Sequence, residues 1–121
     1  MENKKTLVVG ASTKPWRYSH KAIESLRFHN HEVVAIGLRE GEVAGVPIQK
    51  EFPDDNDIHT VTMYVGAANQ SAYQEWLLKL NPQRVIFNPG AENPELQSLL
   101  EENGVEVLEA CTLVMLATGQ Y

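Results

Sequence analysis

Leu7-Val8-Val9 is an unbroken apolar run that stops at Gly10, the pattern of a strand covered on both faces and followed by a sharp backbone turn. Beyond it the apolar period lengthens. Ala22, Ile23 and Leu26 form one stripe of a helix predicted over about 19–29, with Ser19 as its cap, and Asn30-His31 turns the chain into a second strand over 32–36. That completes a βαβ unit. A glycine-dotted, charged stretch follows, in which only 46–48 reads as a short strand, and Asp54 to Asp57 forms an acidic turn.

The second half repeats the alternation. A strand over 60–65 ends at Gly66, and Asn69 is the expected cap of a helix whose core stripe is Ala72, Tyr73, Trp76, Leu77 and Leu80. A strand over 84–88 breaks at Pro89-Gly90. Asn93-Pro94 then supplies the cap and first residue of a third helix with Leu96, Leu99 and Leu100 inward, and Asn103-Gly104 ends it. The last strand is expected over 105–108, and the apolar stretch from Cys111 to Ala117 as a closing helix packed on the sheet.

Strands alternating with helices at this spacing imply a parallel sheet covered on both faces, because parallel neighbours need right-handed crossovers. The expected fold is an α/β, Rossmann-like three-layer domain with a parallel sheet of about five strands, spanning 1–121 as one domain. Ligands of such sheets sit beyond the carboxyl ends of the strands, near the switch in strand order. Gly10, Gly37, Gly66 and Gly90 all fall on that single rim.

Composition narrows the ligand. The 121 residues are 43% hydrophobic, enough for one core and too few for a second folding unit. A net charge of −6 opposes nonspecific nucleic-acid binding, and apart from the group near the first turn the basic residues are scattered. The single Cys111 allows no internal disulfide, and the start of the chain passes into the first strand without the apolar core of a signal peptide. The longest apolar stretch, 113–117, is far too short to span a bilayer. These features predict a cytoplasmic protein with no membrane association.

The first turn concentrates positive charge. Lys14, Arg17 and Lys21, with His20 beside them, surround a helix start, which is the wrong sign for the helix dipole; a bound anion resolves that conflict. The competing reading is a generic strand-turn-helix unit whose lysines serve solubility. Neither common phosphate motif is present, since Ala11 and Ser12 follow Gly10 and no Gly-Lys-Ser/Thr appears, which disfavours a dinucleotide dehydrogenase and a P-loop nucleoside triphosphatase.

At the end of the second strand, where nicotinamide dinucleotide domains usually carry an acid for the ribose hydroxyls, this chain has Gly37-Leu38-Arg39. Glu32 has a suitable spacing from Gly10 but begins that strand, at the opposite edge of the sheet. An arginine suits a ribose bearing an extra phosphate, which leaves coenzyme A and NADP as the leading ligands. Pairing of Arg39 with Glu40 or Glu42 in a solvated loop is the alternative.

Val8-Val-Gly-Ala-Ser12, Pro15 with Arg17 and Ser19, His31-Glu-Val-Val34, Asn88-Pro-Gly-Ala-Glu92 and Gly104-Val-Glu-Val107 with Cys111 carry a family resemblance across nearly the whole chain. The sequence resembles the small single-domain CoA-binding proteins, similar to the N-terminal domain of the succinyl-CoA synthetase α subunit. The resemblance implies a CoA-type ligand with its phosphates on Gly10, Ala11, Ser12, Thr13 and Lys14. It also implies an adenosine end near Arg39, with Val65, Gly66, Asn88, Pro89 and Gly90 closing around the ligand. Many relatives carry Asn-Pro followed by a basic residue at the second strand's rim, where this chain has Ile36-Gly37-Leu38-Arg39.

Catalytic candidates are thin. Cys111, at the start of an apolar stretch, reads as a packed thiol rather than a nucleophile, and Glu92 as a turn carboxylate bonding backbone amides rather than a base. In the synthetases that the sequence resembles, the phosphorylated histidine comes from another domain, so no such histidine is expected in 1–121. His29 and His31 flank the amino end of the second strand without a companion ligand, so no metal is expected. Trp16 fits either stacking on a ligand ring or packing over the first helix. Two classes stay open: a non-catalytic module for CoA or an acyl-CoA, working as a sensor or carrier with a partner, and a small NADP-dependent reductase using Tyr18 or Lys21 as proton donor.

Overall fold

The computed structural model describes residues 2–121. Seven strands form one sheet: β1 (Thr6–Val9), β2 (Val33–Ile36), β3 (Gly41–Val43), β4 (Val46–Gln49), β5 (Thr60–Met63), β6 (Arg84–Phe87) and β7 (Glu106–Glu109), in the order β3-β4-β2-β1-β5-β6-β7. All neighbours are parallel except β3 and β4. The helices are α1 (Tyr18–Phe28), α2 (Ser71–Leu80), α3 (Pro94–Glu102) and α4 (Thr112–Ala117). The Rossmann-like α/β class is as expected from the sequence.

The strand number is a correction. Instead of about five parallel strands there are seven, with an antiparallel β3-β4 hairpin at one edge. Its turn is Ala44-Gly45, with φ of 49° and 81°. Positive φ at both central positions is the type I′ two-residue hairpin turn, which Asn-Gly would have announced and Ala-Gly does not.

Side-chain alternation splits the core in two. Leu7, Val9, Val61, Met63, Val85 and Phe87 face α2 and α3, meeting Leu77, Leu96 and Leu100. Val8, Ala35, Ile48 and Ile86 point the other way, toward Ile23 and Leu26 of α1 and Met115 and Leu116 of α4. β1 is buried at every position because both layers cover it, and each such Leu or Val side chain contributes about 1.5–3 kcal/mol of burial.

Three local expectations change. α1 begins at Tyr18 with Arg17 as its cap residue and no capping side chain, so Ser19 lies inside the helix, buried, rather than at its cap. A short 3-10 turn (Ala67–Asn69) precedes α2, which leaves Asn69 ahead of the cap position at Gln70, and Ala72 is exposed rather than in the core stripe. Asn93-Pro94 does start α3 as read, with the Asn93 side chain accepting from Leu96 N at 3.3 Å.

Candidate functional site

The connection after β1 runs to α1 on one face of the sheet and the connection after β5 runs to α2 on the other, so a crevice opens between the carboxyl ends of these neighbouring strands. Gly10 sits in it at φ 91°. A Cβ there would lie 3.0 Å from Val65 Cγ2 and 3.2 Å from the Tyr64 carbonyl carbon, so both conformation and space require glycine.

The loop after Gly10 folds across the end of β2. Gly10 N and Ala11 N both donate to Ile36 O, at 3.0 and 2.9 Å. A Cβ at Gly37 would lie 2.3 Å from Ala11 O, and one at Gly41 would lie 2.4 Å from Thr13 Cγ2, which explains glycine at both positions. With the first two amides used, the loop N–H groups lacking a protein acceptor among the described residues are those of Ser12 and Thr13. Ser12 Oγ accepts from Lys14 N at 3.1 Å, and the His20 ring donates from Nδ1 to Ser12 O at 3.1 Å, tying the loop to the helix it precedes.

Charge follows the sequence reading. α1 has no acid in its first turn, while Lys14, Arg17 and Lys21 stand exposed around it. Lys14 Nζ lies 6.0 Å from the Trp16 ring centre and Lys21 Nζ 5.6 Å from that of Tyr18. Arg39 is exposed in the loop between β2 and β3 and forms no ion pair among the described residues, so pairing with Glu40 or Glu42 is not found. Leu38 beside it is 86% exposed.

The rims after β5 and β6 are bound to each other by a residue the sequence reading missed. Gln70, fully buried, donates to Val65 O at 2.7 Å and to Ala91 O at 2.6 Å, and accepts from Asn93 Nδ2 at 2.9 Å. Asn88 is a second clamp. Its amide nitrogen donates to Thr62 Oγ1 and Met63 O and its oxygen accepts from Thr112 N, so its polar atoms all bind protein. Glu92 accepts from Gly90 N at 2.9 Å, the backbone-bonding duty expected of it.

The structure thus brings Gly10, Ala11, Gly37, Val65 and Gly66 to one rim beside Asn88, Pro89 and Gly90. It turns Ser19 inward and leaves Leu38 and Arg39 exposed on the loop that follows Gly37. A cavity of about 230 Å³ adjoins this rim, lined by Tyr18, Tyr64, Asn88, Pro89, Cys111 and Leu113. Burial pushes the Tyr64 phenol up from its ordinary value of 10.0, and its hydroxyl is buried with no hydrogen-bond partner among the described residues, beside Thr62 and Thr112, whose hydroxyls bond to each other at 2.8 Å. Tyr64 is a residue the sequence reading did not single out; alternation continued from β5 is the one signal that could have placed it on this face.

A family model described as a CoA binding domain matches residues 4–117. A crystal structure of an uncharacterized protein is 45% identical, with a TM-score of 0.96 and full coverage of both chains. A hypothetical protein from Pyrococcus horikoshii OT3 is 26% identical over 93% of this chain and 81% of its own, with a TM-score of 0.83. The dinucleotide-forming acetyl-coenzyme A synthetase 1 of Ca. Korarchaeum cryptofilum, solved with phosphate and ADP, shares the fold at 19% identity and a TM-score of 0.69. It is matched over 88% of this chain and 25% of that one. A search of curated proteins found no match. No helix among the described residues is long and apolar enough to cross a membrane.

Proposed function

Since the chain belongs to the CoA-binding domain family, we propose that it binds coenzyme A or an acyl-CoA at the carboxyl rim and does not itself transform it. The observation that carries this reading is the loop over 10–14. Its backbone is fixed by Gly10 and Gly37, its Ser12 and Thr13 amides lack protein acceptors among the described residues, and Lys14 and Arg17 supply charge beside an uncapped helix start. In this reading the loop takes the phosphates, Arg39 takes the phosphate on the adenosine ribose, and the rims at Val65-Gly66 and at 88–90 close over the ligand.

A binding role is supported by what surrounds the two groups with reactive chemistry. Cys111 lines the cavity with Tyr18, Tyr64, Asn88, Pro89 and Leu113, a set holding no imidazole or carboxylate to take its proton, and Glu92, which is not among them, accepts from Gly90 N. A competitive titration of CoA against NADPH tests the ligand. CoA binding that NADPH fails to displace is expected, and NADPH binding without CoA binding overturns the assignment. Incubation with CoA thioesters should leave them intact; steady turnover by a pure sample, lost on mutating Cys111 or Glu92, overturns the non-catalytic role.

A further inference from the structure

The cavity beside the rim differs in chemistry from the loop. No charged side chain lines it, the polar atoms of Asn88 all bind protein, and the Tyr64 hydroxyl is closed off from solvent. What faces the space is two aromatic side chains, a pyrrolidine, a leucyl side chain and the soft thiol of Cys111. Two of its lining residues lie close to the loop. A Cβ at Gly10 would lie 3.4 Å from Tyr64 Cβ, and Tyr18 opens α1 directly after the loop.

We propose that this cavity receives the acyl end of a short aliphatic acyl-CoA, so that the protein prefers acylated over free CoA. The inference rests on the CoA reading above and deepens it. The nucleotide end of such a ligand is polyanionic and belongs with Lys14 and Arg17, because an anion against uncharged walls loses its hydration without replacement. The thioester and its alkyl group are the parts that gain from leaving water. An apolar cavity of about 150 Å³ takes a benzene-sized guest, so this one has room for a thioester and roughly four carbons, not a long chain.

Calorimetric titration of the protein with CoA, acetyl-CoA, butyryl-CoA and palmitoyl-CoA tests this directly. Affinity should rise roughly three- to fourfold for each methylene buried between acetyl and butyryl, and fall again for palmitoyl. In Leu113→Trp, which fills the cavity, the ratio of butyryl to acetyl affinity should collapse to within twofold, circular dichroism confirming the fold. Equal affinities across the series, with CoA still bound, overturn the acyl cavity and leave the CoA reading standing. Failure to bind any member overturns the CoA reading itself. A chain-length gain that persists in folded Leu113→Trp moves the acyl group elsewhere and overturns the assignment; if that variant does not fold, the wild-type series decides alone.

Discussion

At the amino rim of the sheet Thr6, His31, Thr60, Arg84 and Tyr121 are all buried and packed or hydrogen-bonded against one another, with Arg84 Nη2 left without a hydrogen-bond partner among the described residues, whereas at the carboxyl rim Ser12, Thr13, Lys14, Arg17 and Arg39 lie on loops with few protein partners. On the amino side Arg84 Nε donates to Thr60 Oγ1 at 2.8 Å, and its guanidinium stacks 4.4 Å from the Tyr121 ring centre. Tyr121 in turn shares a hydrogen bond with Thr6, and His31 Nδ1 accepts from Lys4 N at 2.9 Å. Apart from Arg84 Nη2, these buried polar groups are bonded inside the protein, which ties this rim to the fold. At the carboxyl rim the Ser12 and Thr13 amides lack protein acceptors, and Lys14, Arg17 and Arg39 form no ion pair, among the described residues. Polar residues alone do not distinguish the rims; the share of them left uncommitted does.

The comparison breaks most sharply at Gly10. Gly10→Val forces a branched side chain into a positive φ and against Val65, so it should move the loop and lower CoA affinity at least a hundredfold, while circular dichroism stays close to wild type. Wild-type affinity in a folded Gly10→Val protein removes the loop from the site. On the opposite rim, Tyr121→Ala removes a side chain only 4% exposed and uncovers Arg84, which should cost about 3–5 kcal/mol in urea unfolding and leave CoA affinity within twofold. A large affinity loss there would mean the two rims are coupled.

Arg39→Ala sharpens the carboxyl side. A charge-assisted hydrogen bond contributes about 1.5–3 kcal/mol, so the wild type should prefer CoA over dephospho-CoA by roughly ten- to hundredfold. The variant should lose that preference by weakening CoA alone. Equal weakening of both ligands places Arg39 against the pyrophosphate or adenine, and an intact preference hands the phosphate to Lys14 or Arg17.

The smallest effect is in pH. Burial, then the nearby charges of His29, Lys4 and Arg84, holds the His31 imidazole below its ordinary 6.5, and burial does the same to His59. With the folded pKa depressed, protonation favours the unfolded chain. Stability is therefore full above 6.5 and falls as pH drops through the folded values, by at most about 1.4 kcal/mol per pH unit for each histidine. Urea midpoints between pH 7 and pH 5 should show this slope, and His31→Gln should flatten part of it. An unchanged slope in the variant excludes His31 as a source.

Local signals were legible and tertiary ones were not. Apolar runs ending in glycine placed β1, β2, β5 and β6, and Asn93-Pro94 placed the start of α3, because those patterns act within a few residues. The β3-β4 hairpin escaped because Ala44 adopts a conformation its residue type rarely shows. Ser19 resembled a cap, but the helix begins one residue earlier and packing draws it inward. Gln70 gave no signal at all. Its role exists only because the loops after β5 and β6 meet over it, 21 residues apart in the chain.

A CoA titration followed by backbone amide chemical shifts tests the division between the rims most directly. The amides of residues 10–14, 37–39, 64–66 and 88–91, proline excepted, should move and saturate together, while those of His31, Arg84 and Tyr121 stay in place. Shifts centred on His31, Arg84 and Tyr121, or none at saturating CoA, would contradict the account.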